Sequence, residues 1–224
     1  MHRRYILVGA IMLALGMTAH AERLARDTAL PTGRGAHVFK GGTQVTRYGD
    51  GKVSSGVLKH NVSLPTPKGS HIFKGGESVS FYQGGYVRSG VLLQNISLPT
   101  PRGSHVFKAG TRIDFTQSGY VRSGVLLQNI SLPTPRGSHV FMAGTMAQFY
   151  GNGYVEGGTL LHNVSLPTQK GSHVFRAGKW VSFYENGYVS IGTLHLTVSL
   201  PTARGSKVYQ KGTQVRFHQN GNAL

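Results

Sequence analysis

The sequence contains no cysteine, and only 7 of its 224 residues are acidic. Without cysteine there are no disulfides and no thiolate metal site, so the folded chain depends on its core and its backbone hydrogen bonds. The few carboxylates form no evident catalytic pair, and no phosphate-binding loop accompanies them. The sequence therefore predicts a protein that is not an enzyme and that carries no metal or other cofactor.

Acidic residues are few, but basic residues are many. The 24 lysines and arginines give a formal net charge of +17. Such an excess creates a positive potential that attracts polyanions and opposes self-association. Glycine, with 32 residues, is also abundant, which is typical of a turn-rich β protein.

The first 21 residues have the pattern of a secretory signal peptide. Arg3 and Arg4 precede an apolar run at residues 6–17, and Ala19-His20-Ala21 provides the small residues that a signal peptidase needs. The run is shorter than a typical transmembrane helix requires, although an uncleaved membrane anchor is the alternative. We therefore expect cleavage after Ala21 and an exported chain, not transmembrane, in a bacterial periplasm or at the cell surface or exterior.

A 34-residue unit recurs six times without an insertion or deletion. Its Leu-Pro pairs begin at positions 30, 64, 98, 132, 166 and 200. No unit of this size buries its apolar face alone, so neighbouring copies must stack around a continuous core. Residues 22–224 are therefore predicted to form a single β-repeat domain.

The first part of each unit has the pattern of two short strands and a turn. In the third copy the first strand covers residues 105–107, and the second alternates apolar Ile113 and Phe115 with polar neighbours. The Asn-Gly pairs at 152–153 and 186–187 predict a two-residue type I′ hairpin turn after the second strand.

The last part of each unit reads as one long strand. In the third copy it is predicted from Tyr120 to Leu132, with Pro133 as its end and Gly124 as a bulge or bend. Leu126, Ile130 and Leu132 share one parity and predict the buried side. Leu127 has the opposite parity and is replaced by lysine in another copy, which predicts exposure.

These patterns predict an all-β fold, an elongated array of six hairpin or solenoid-like repeats. Equivalent side chains then form columns, such as Phe73, Phe107, Phe141 and Phe175. The alternative is a six-bladed β-propeller, because the chain after Ala21 begins inside a third strand and ends after a second strand.

The segment FYENGYVSIG, from Phe183 to Gly192, resembles the hairpin of MORN-type repeats. These are β-hairpin arrays punctuated by aromatic residues and glycines, and the resemblance implies a scaffold or membrane-proximal role. It covers about a third of each unit and includes no part of the LPTPRGSHVF segment.

Two basic columns and one histidine column follow the Leu-Pro pairs. The first basic column is Arg34, Lys68, Arg102, Arg136, Lys170 and Arg204. The second is Lys40, Lys74, Lys108 and Arg176, and the histidine column is His37, His71, His105, His139 and His173. Stacking turns them into stripes that predict binding of regularly spaced anions through many salt-sensitive contacts. A solvated face that keeps the protein soluble is the alternative.

Histidines and tyrosines also have structural interpretations. One histidine per unit, with no second recurring ligand, predicts no metal site and favours local packing, with destabilisation by acid. Tyr86, Tyr120, Tyr154 and Tyr188 follow the hairpin turns, and Tyr82, Tyr150 and Tyr184 precede them. Such rows are typical of cross-strand packing, although they also suit the stacking of sugars or bases.

We therefore expect an exported, non-enzymatic binding or scaffold protein at the cell envelope. Its expected partner is an acidic glycan, lipopolysaccharide or nucleic acid, bound through the repeated basic surface. The alternative is a structural protein that self-associates into fibres or a surface layer.

Overall fold

The computed structural model describes residues 20–224, in which every regular element is a β-strand. The described part contains no helix of the length and apolarity that a membrane span requires. Most of the predicted signal peptide lies outside the described residues, so cleavage after Ala21 stays a prediction. The strands are β1 (His20–Arg23), β2 (Thr28–Pro31), β3 (Ala36–Phe39), β4 (Gln44–Arg47), β5 (Val53–Val57), β6 (Val62–Thr66), β7 (Gly69–Phe73), β8 (Ser78–Phe81), β9 (Val87–Val91), β10 (Ile96–Thr100), β11 (Gly103–Phe107), β12 (Arg112–Phe115), β13 (Val121–Val125), β14 (Ile130–Thr134), β15 (Gly137–Phe141), β16 (Met146–Phe149), β17 (Val155–Thr159), β18 (Val164–Thr168), β19 (Gly171–Phe175), β20 (Trp180–Phe183), β21 (Val189–Thr193), β22 (Val198–Thr202), β23 (Gly205–Tyr209) and β24 (Gln214–Arg216).

The strands form two layers. Twelve of them make one antiparallel sheet in the order β1-β4-β5-β8-β9-β12-β13-β16-β17-β20-β21-β24, and the others form six separate two-stranded hairpins. Each unit adds two neighbouring strands to the long sheet and one hairpin to the second layer. The hairpin strands β10 and β14 pack on the sheet strands β13 and β17. This arrangement confirms the prediction of an elongated, all-β hairpin array.

The long sheet is open, so the six-bladed propeller is wrong. Strands of successive units pair with each other, as β9 and β12 do through Arg112 and Val91. Blades of a propeller are separate sheets, whereas here one hydrogen-bonded ladder crosses the unit boundaries. Among the described residues β1 pairs with β4 and β24 pairs with β21, and the two ends do not complete a shared unit.

The core lies between the two layers and follows the predicted parity. Phe107, Leu126 and Leu132 are at most 1% exposed, and Ile130 is partly buried against them. Leu127 is exposed, as predicted. Buried phenylalanines recur at 34-residue intervals from Phe39 to Phe175 and from Phe81 to Phe217, so the core continues along the array without a break at the unit boundary.

The predicted third strand is two strands in the structure. β13 ends at Val125, Leu126 makes an isolated bridge to Phe107, and β14 begins at Ile130. Pro133 does not end a strand but lies inside β14, opposite Ser138. Proline is tolerated there because a two-stranded hairpin has two free edges, where a missing N–H disrupts no ladder.

The predicted type I′ turn is also wrong. The N–H of Gly153 donates to the Tyr150 carbonyl at 2.9 Å, and the Tyr150 N–H donates to the Tyr154 carbonyl at 2.9 Å. These two bonds close a three-residue loop with Gly153 in the left-handed region, at φ +83°. A type I′ turn needs positive φ at both central residues, and in the described chain no residue other than glycine has it.

The bulge lies two residues before its predicted position. Asp114 pairs with Ser123 and Phe115 with Val121, so Arg122 is the extra residue. Gly124 pairs regularly with Ala147 in the next strand. Packing explains why residue 124 is a glycine, because an added Cβ would lie 2.7 Å from Cδ1 of Phe107.

Candidate polyanion-binding surface

The two predicted basic columns lie along opposite long edges of the array. Arg102 precedes β11 and Lys108 follows it, and six residues of extended chain place them about 20 Å apart. We call the first edge the tip edge, defined by Arg34, Lys68, Arg102, Arg136, Lys170 and Arg204. The second is the base edge, defined by Lys40, Lys74, Lys108 and Arg176. All ten side chains are exposed, but they form two surfaces and not one.

At the tip edge each of the first five hairpin turns touches a later turn next to the long sheet. A Cβ added to Gly119 would lie 2.9 Å from Cδ of Pro67, and one added to Gly153 would lie 2.9 Å from the Arg102 nitrogen. Both glycines also have φ near +84°. This contact brings the basic residue of a hairpin turn next to the tyrosine that follows a sheet turn.

Four of the tip-edge cations lie over tyrosine rings, within the range of cation–π attraction. The distances to the ring centroids are 3.7 Å for Arg34 over Tyr86, 4.6 Å for Lys68 over Tyr120, 3.4 Å for Arg102 over Tyr154 and 3.5 Å for Arg136 over Tyr188. A guanidinium stacked in this way is held in place while the donors at its edge stay free to bind a carboxylate or phosphate.

The tip-edge cations have no carboxylate partner within the described residues. The cations that form ion pairs in residues 20–224 all lie elsewhere: Arg47, Lys52, Lys59, Lys74 and Arg112. Two tip cations contact neutral groups: Arg136 Nε donates to the Asn186 carbonyl at 3.2 Å, and Lys170 Nζ donates to Asn222 Oδ1 at 2.6 Å. The charge of the tip edge is therefore not neutralised by neighbouring acids.

Sheet geometry sets the spacing of these charges. Each unit contributes two strands to the long sheet, so equivalent cations recur about every 9.6 Å. Five such intervals separate Arg34 from Arg204, a line of about 48 Å. The tip edge thus presents a periodic row of cations along the array.

The histidine column lies between the two layers. The rings of His37, His71, His105, His139 and His173 stack on phenylalanines of the next unit's sheet strands, with centroids 5.8–6.4 Å apart and planes within 9°. His105 is 9% exposed, and neither of its ring nitrogens has a hydrogen-bond partner. Burial lowers the pKa of each of the five, which favours neutral imidazoles.

Two further observations separate these histidines from the candidate surface. Neighbouring rings are about two strand spacings apart, too far to share a metal ion. The residues that the structure describes contain no group of three or more potential ligands. The exposed lysines and arginines therefore define the candidate surface, and the histidines pack the layers together.

The other tyrosine column joins one unit to the next. Each tyrosine hydroxyl donates to a phenylalanine carbonyl 33 residues later, at 2.6–2.7 Å. The pairs are Tyr48 with Phe81, Tyr82 with Phe115, Tyr150 with Phe183 and Tyr184 with Phe217. We call this set the tyrosine ladder. Its members support the structural interpretation of that column, whereas the tyrosines after the turns belong to the candidate surface.

No protein-family model matches the chain, and no curated protein matches it. The resemblance of the segment from Phe183 to Gly192 to MORN-type repeats therefore stays a prediction.

Proposed function

We propose that the protein is an exported, non-enzymatic binding protein that holds a linear polyanion along its tip edge at the cell envelope. The row of exposed cations supports this most directly, because it is periodic, partly held by tyrosine rings and, among residues 20–224, without carboxylate partners. Acidic glycans, lipopolysaccharide and nucleic acid all present spaced anions to such a row.

Two physical effects favour the tip edge over the base edge. Each contact to an anion is weak, but contacts on one rigid array add up because later ones form at high effective concentration. Stacked arginines also lose less side-chain freedom on binding than free lysines do. The base edge lacks these stacks, and its Lys74 lies 3.8 Å from Glu77.

Retention of the chain on a heparin column tests the proposal. We expect retention at low salt and release by about 0.5 M salt, where screening limits such contacts to a few ångströms. A tip variant carries Lys68→Gln, Arg102→Gln and Arg136→Gln. A control variant with the same loss of charge at the base edge carries Lys40→Gln, Lys108→Gln and Arg176→Gln.

We expect the tip variant to elute at clearly lower salt than the control. Each lost contact should also reduce the slope of log affinity against log salt by about 0.7 to 0.9. Equal shifts in the two variants would mean that net charge alone causes retention. Absence of retention for the unmodified chain would refute polyanion binding altogether.

The edges of the long sheet favour a second function, end-to-end assembly into fibres or a surface layer. Among the described residues β1 has a strand partner on one side, and residues 223–224 cover only part of the outer edge of β24. Free edges invite pairing with another chain, whereas the net positive charge opposes it. Salt separates the two functions, because screening weakens polyanion binding and strengthens self-association, which sedimentation or electron microscopy would detect.

A further inference from the structure

The tyrosine ladder has a gap in the third unit. The position holds Thr116, whose hydroxyl lies 3.0 Å from Ser118 Oγ and 3.2 Å from the Tyr120 carbonyl, within its own turn. By equivalence with the other units, a tyrosine here would reach across to the carbonyl of Phe149. The smaller side chain therefore leaves the space of one aromatic ring unfilled on the sheet.

A hollow of about 470 Å³ lies next to this gap, and Phe115, the residue before Thr116, is one of its lining residues. It is lined by Tyr82, Arg88, Asp114, Arg122, Gln148 and Glu156. Its lining extends from Tyr82, which follows β8, to Glu156 in β17, and β12 lies between these strands, so we infer that a ring at position 116 reaches into it. Its volume is within the range of small-molecule sites.

The charged side chains that line the hollow do not recur in every unit. Arg88 and Arg122 are bulge residues of adjacent units, and the equivalent bulge positions at the two ends of the array are Ser54 and Ser190. A bulge re-aims its side chain away from the regular strand direction. Burial raises the pKa of Tyr82, and the charges of Arg88 and Arg122 oppose that rise, so both guanidinium groups act on the same hydroxyl.

Acidic residues also line the hollow, and Asp114 lies between the two arginines, because β12 pairs with β9 on one side and with β13 on the other. Asp114 accepts hydrogen bonds from Ser123 Oγ at 2.6 Å and from Arg112 Nε at 3.2 Å, which fix its carboxylate. Glu156 is the bulge residue of the next unit, in the position that Arg122 has in the third. Carboxylates repel a dense phosphate backbone, but they accept hydrogen bonds from hydroxyl groups.

We propose that this hollow binds a single acidic sugar unit. Arg88 and Arg122 bind its carboxylate through charge-assisted hydrogen bonds. Asp114 and Glu156 accept hydrogen bonds from its hydroxyl groups, the Gln148 amide accepts or donates them, and the Tyr82 ring covers its apolar edge. This site is on the sheet face and does not depend on polyanion binding at the tip edge.

Calorimetric titration with a galacturonic acid trisaccharide tests the site, with maltotriose and tripolyphosphate as comparison ligands. We expect saturable 1:1 binding of the acidic trisaccharide and none of maltotriose. Thr116→Tyr should weaken it at least tenfold because it restores the ladder and fills the hollow. Arg122→Ser, which introduces the residue of the equivalent end positions, should weaken it roughly ten- to hundredfold.

Lys179→Gln removes one positive charge from an exposed residue outside the hollow and outside both edges, so it is the matched control and should leave the affinity unchanged. Thermal unfolding verifies that each variant folds, and Thr116→Tyr should be at least as stable as the unmodified chain. Absence of saturable binding would overturn the proposal, as would equal affinity in Thr116→Tyr or in Arg122→Ser. Tighter binding of tripolyphosphate that Thr116→Tyr abolishes would overturn the sugar assignment, whereas heparin retention alone bears only on the tip edge.

Discussion

Replacing Gly158 by alanine tests the packing that joins the two layers. Gly158 lies in β17, pairs regularly with Ala147 and Val181, and is buried. A Cβ added there would lie 2.6 Å from Cδ1 of Phe141, a ring with no exposed surface. Carbon atoms in favourable contact are about 3.5–4.0 Å apart, so the ring or the strand must move by about 1 Å.

The cost follows from this geometry. Inserting a carbon into a filled core costs about 1–3 kcal/mol, and alanine recovers about 0.4–1 kcal/mol by restricting the unfolded chain. Gly158 is not in the left-handed region, so no backbone strain is added. We expect a net loss of about 1–2 kcal/mol, which lowers the melting temperature of a chain of this length by about 2–8 °C.

Urea and thermal unfolding followed by circular dichroism measure this loss. Gly151→Ala is the matched control, because no heavy atom lies within 4 Å of its added Cβ and its φ is not positive. It should be neutral or slightly stabilising. Adding Phe141→Leu to Gly158→Ala should cost less than the sum of the two single changes, since the smaller side chain frees space. Equal stability of Gly158→Ala and Gly151→Ala would refute the reasoning.

Three further predictions concern the contacts between units. Burial lowers the pKa of the five stacked histidines, so below about pH 6.5 the unfolded chain binds more protons than the folded chain. The urea midpoint should therefore fall as pH decreases through that value. A midpoint independent of pH from 7.5 to 5 would contradict this. Tyr150→Phe removes the hydroxyl bonded to the Phe183 carbonyl and should cost about 1 kcal/mol, whereas Tyr154→Phe should change thermal stability little. Asn129→Ala removes the acceptor of a backbone N–H at 2.7 Å and should also cost about 1 kcal/mol in urea unfolding. Asn129→Asp should be tolerated, because Asp27, at the equivalent position before the first Leu-Pro pair, accepts the same kind of bond.

Local periodicity was sufficient to predict the core. Ile113 and Phe115 alternate with polar residues, and Leu126 and Leu132 stay aliphatic in every copy, so burial followed from patterns within a few residues. The repeat length also implied stacking, since a short unit has no core of its own. The basic and histidine columns were visible for the same reason.

The strand and turn details needed the structure. A continuous aliphatic pattern spans Leu126 to Leu132, but the chain leaves the sheet after Val125 to start a hairpin in the other layer. The side-chain pattern continues because both layers bury their residues in one shared core. The pattern therefore did not reveal the change of layer, nor that Pro133 lies at a free edge.

The function-bearing contacts also depend on the tertiary fold. Arg102 contacts Tyr154, 52 residues later in the sequence, because its hairpin turn lies against a sheet turn farther along the array. The hollow is lined by Phe115, next to Thr116, and the equivalents of Thr116 in the neighbouring units, Tyr82 and Tyr150, each bridge one unit to the next. The repeat, its burial pattern and its columns can all be predicted from the sequence, since they depend on local alternation. The structure decided which columns meet, since that depends on the offset between layers, which no short segment encodes.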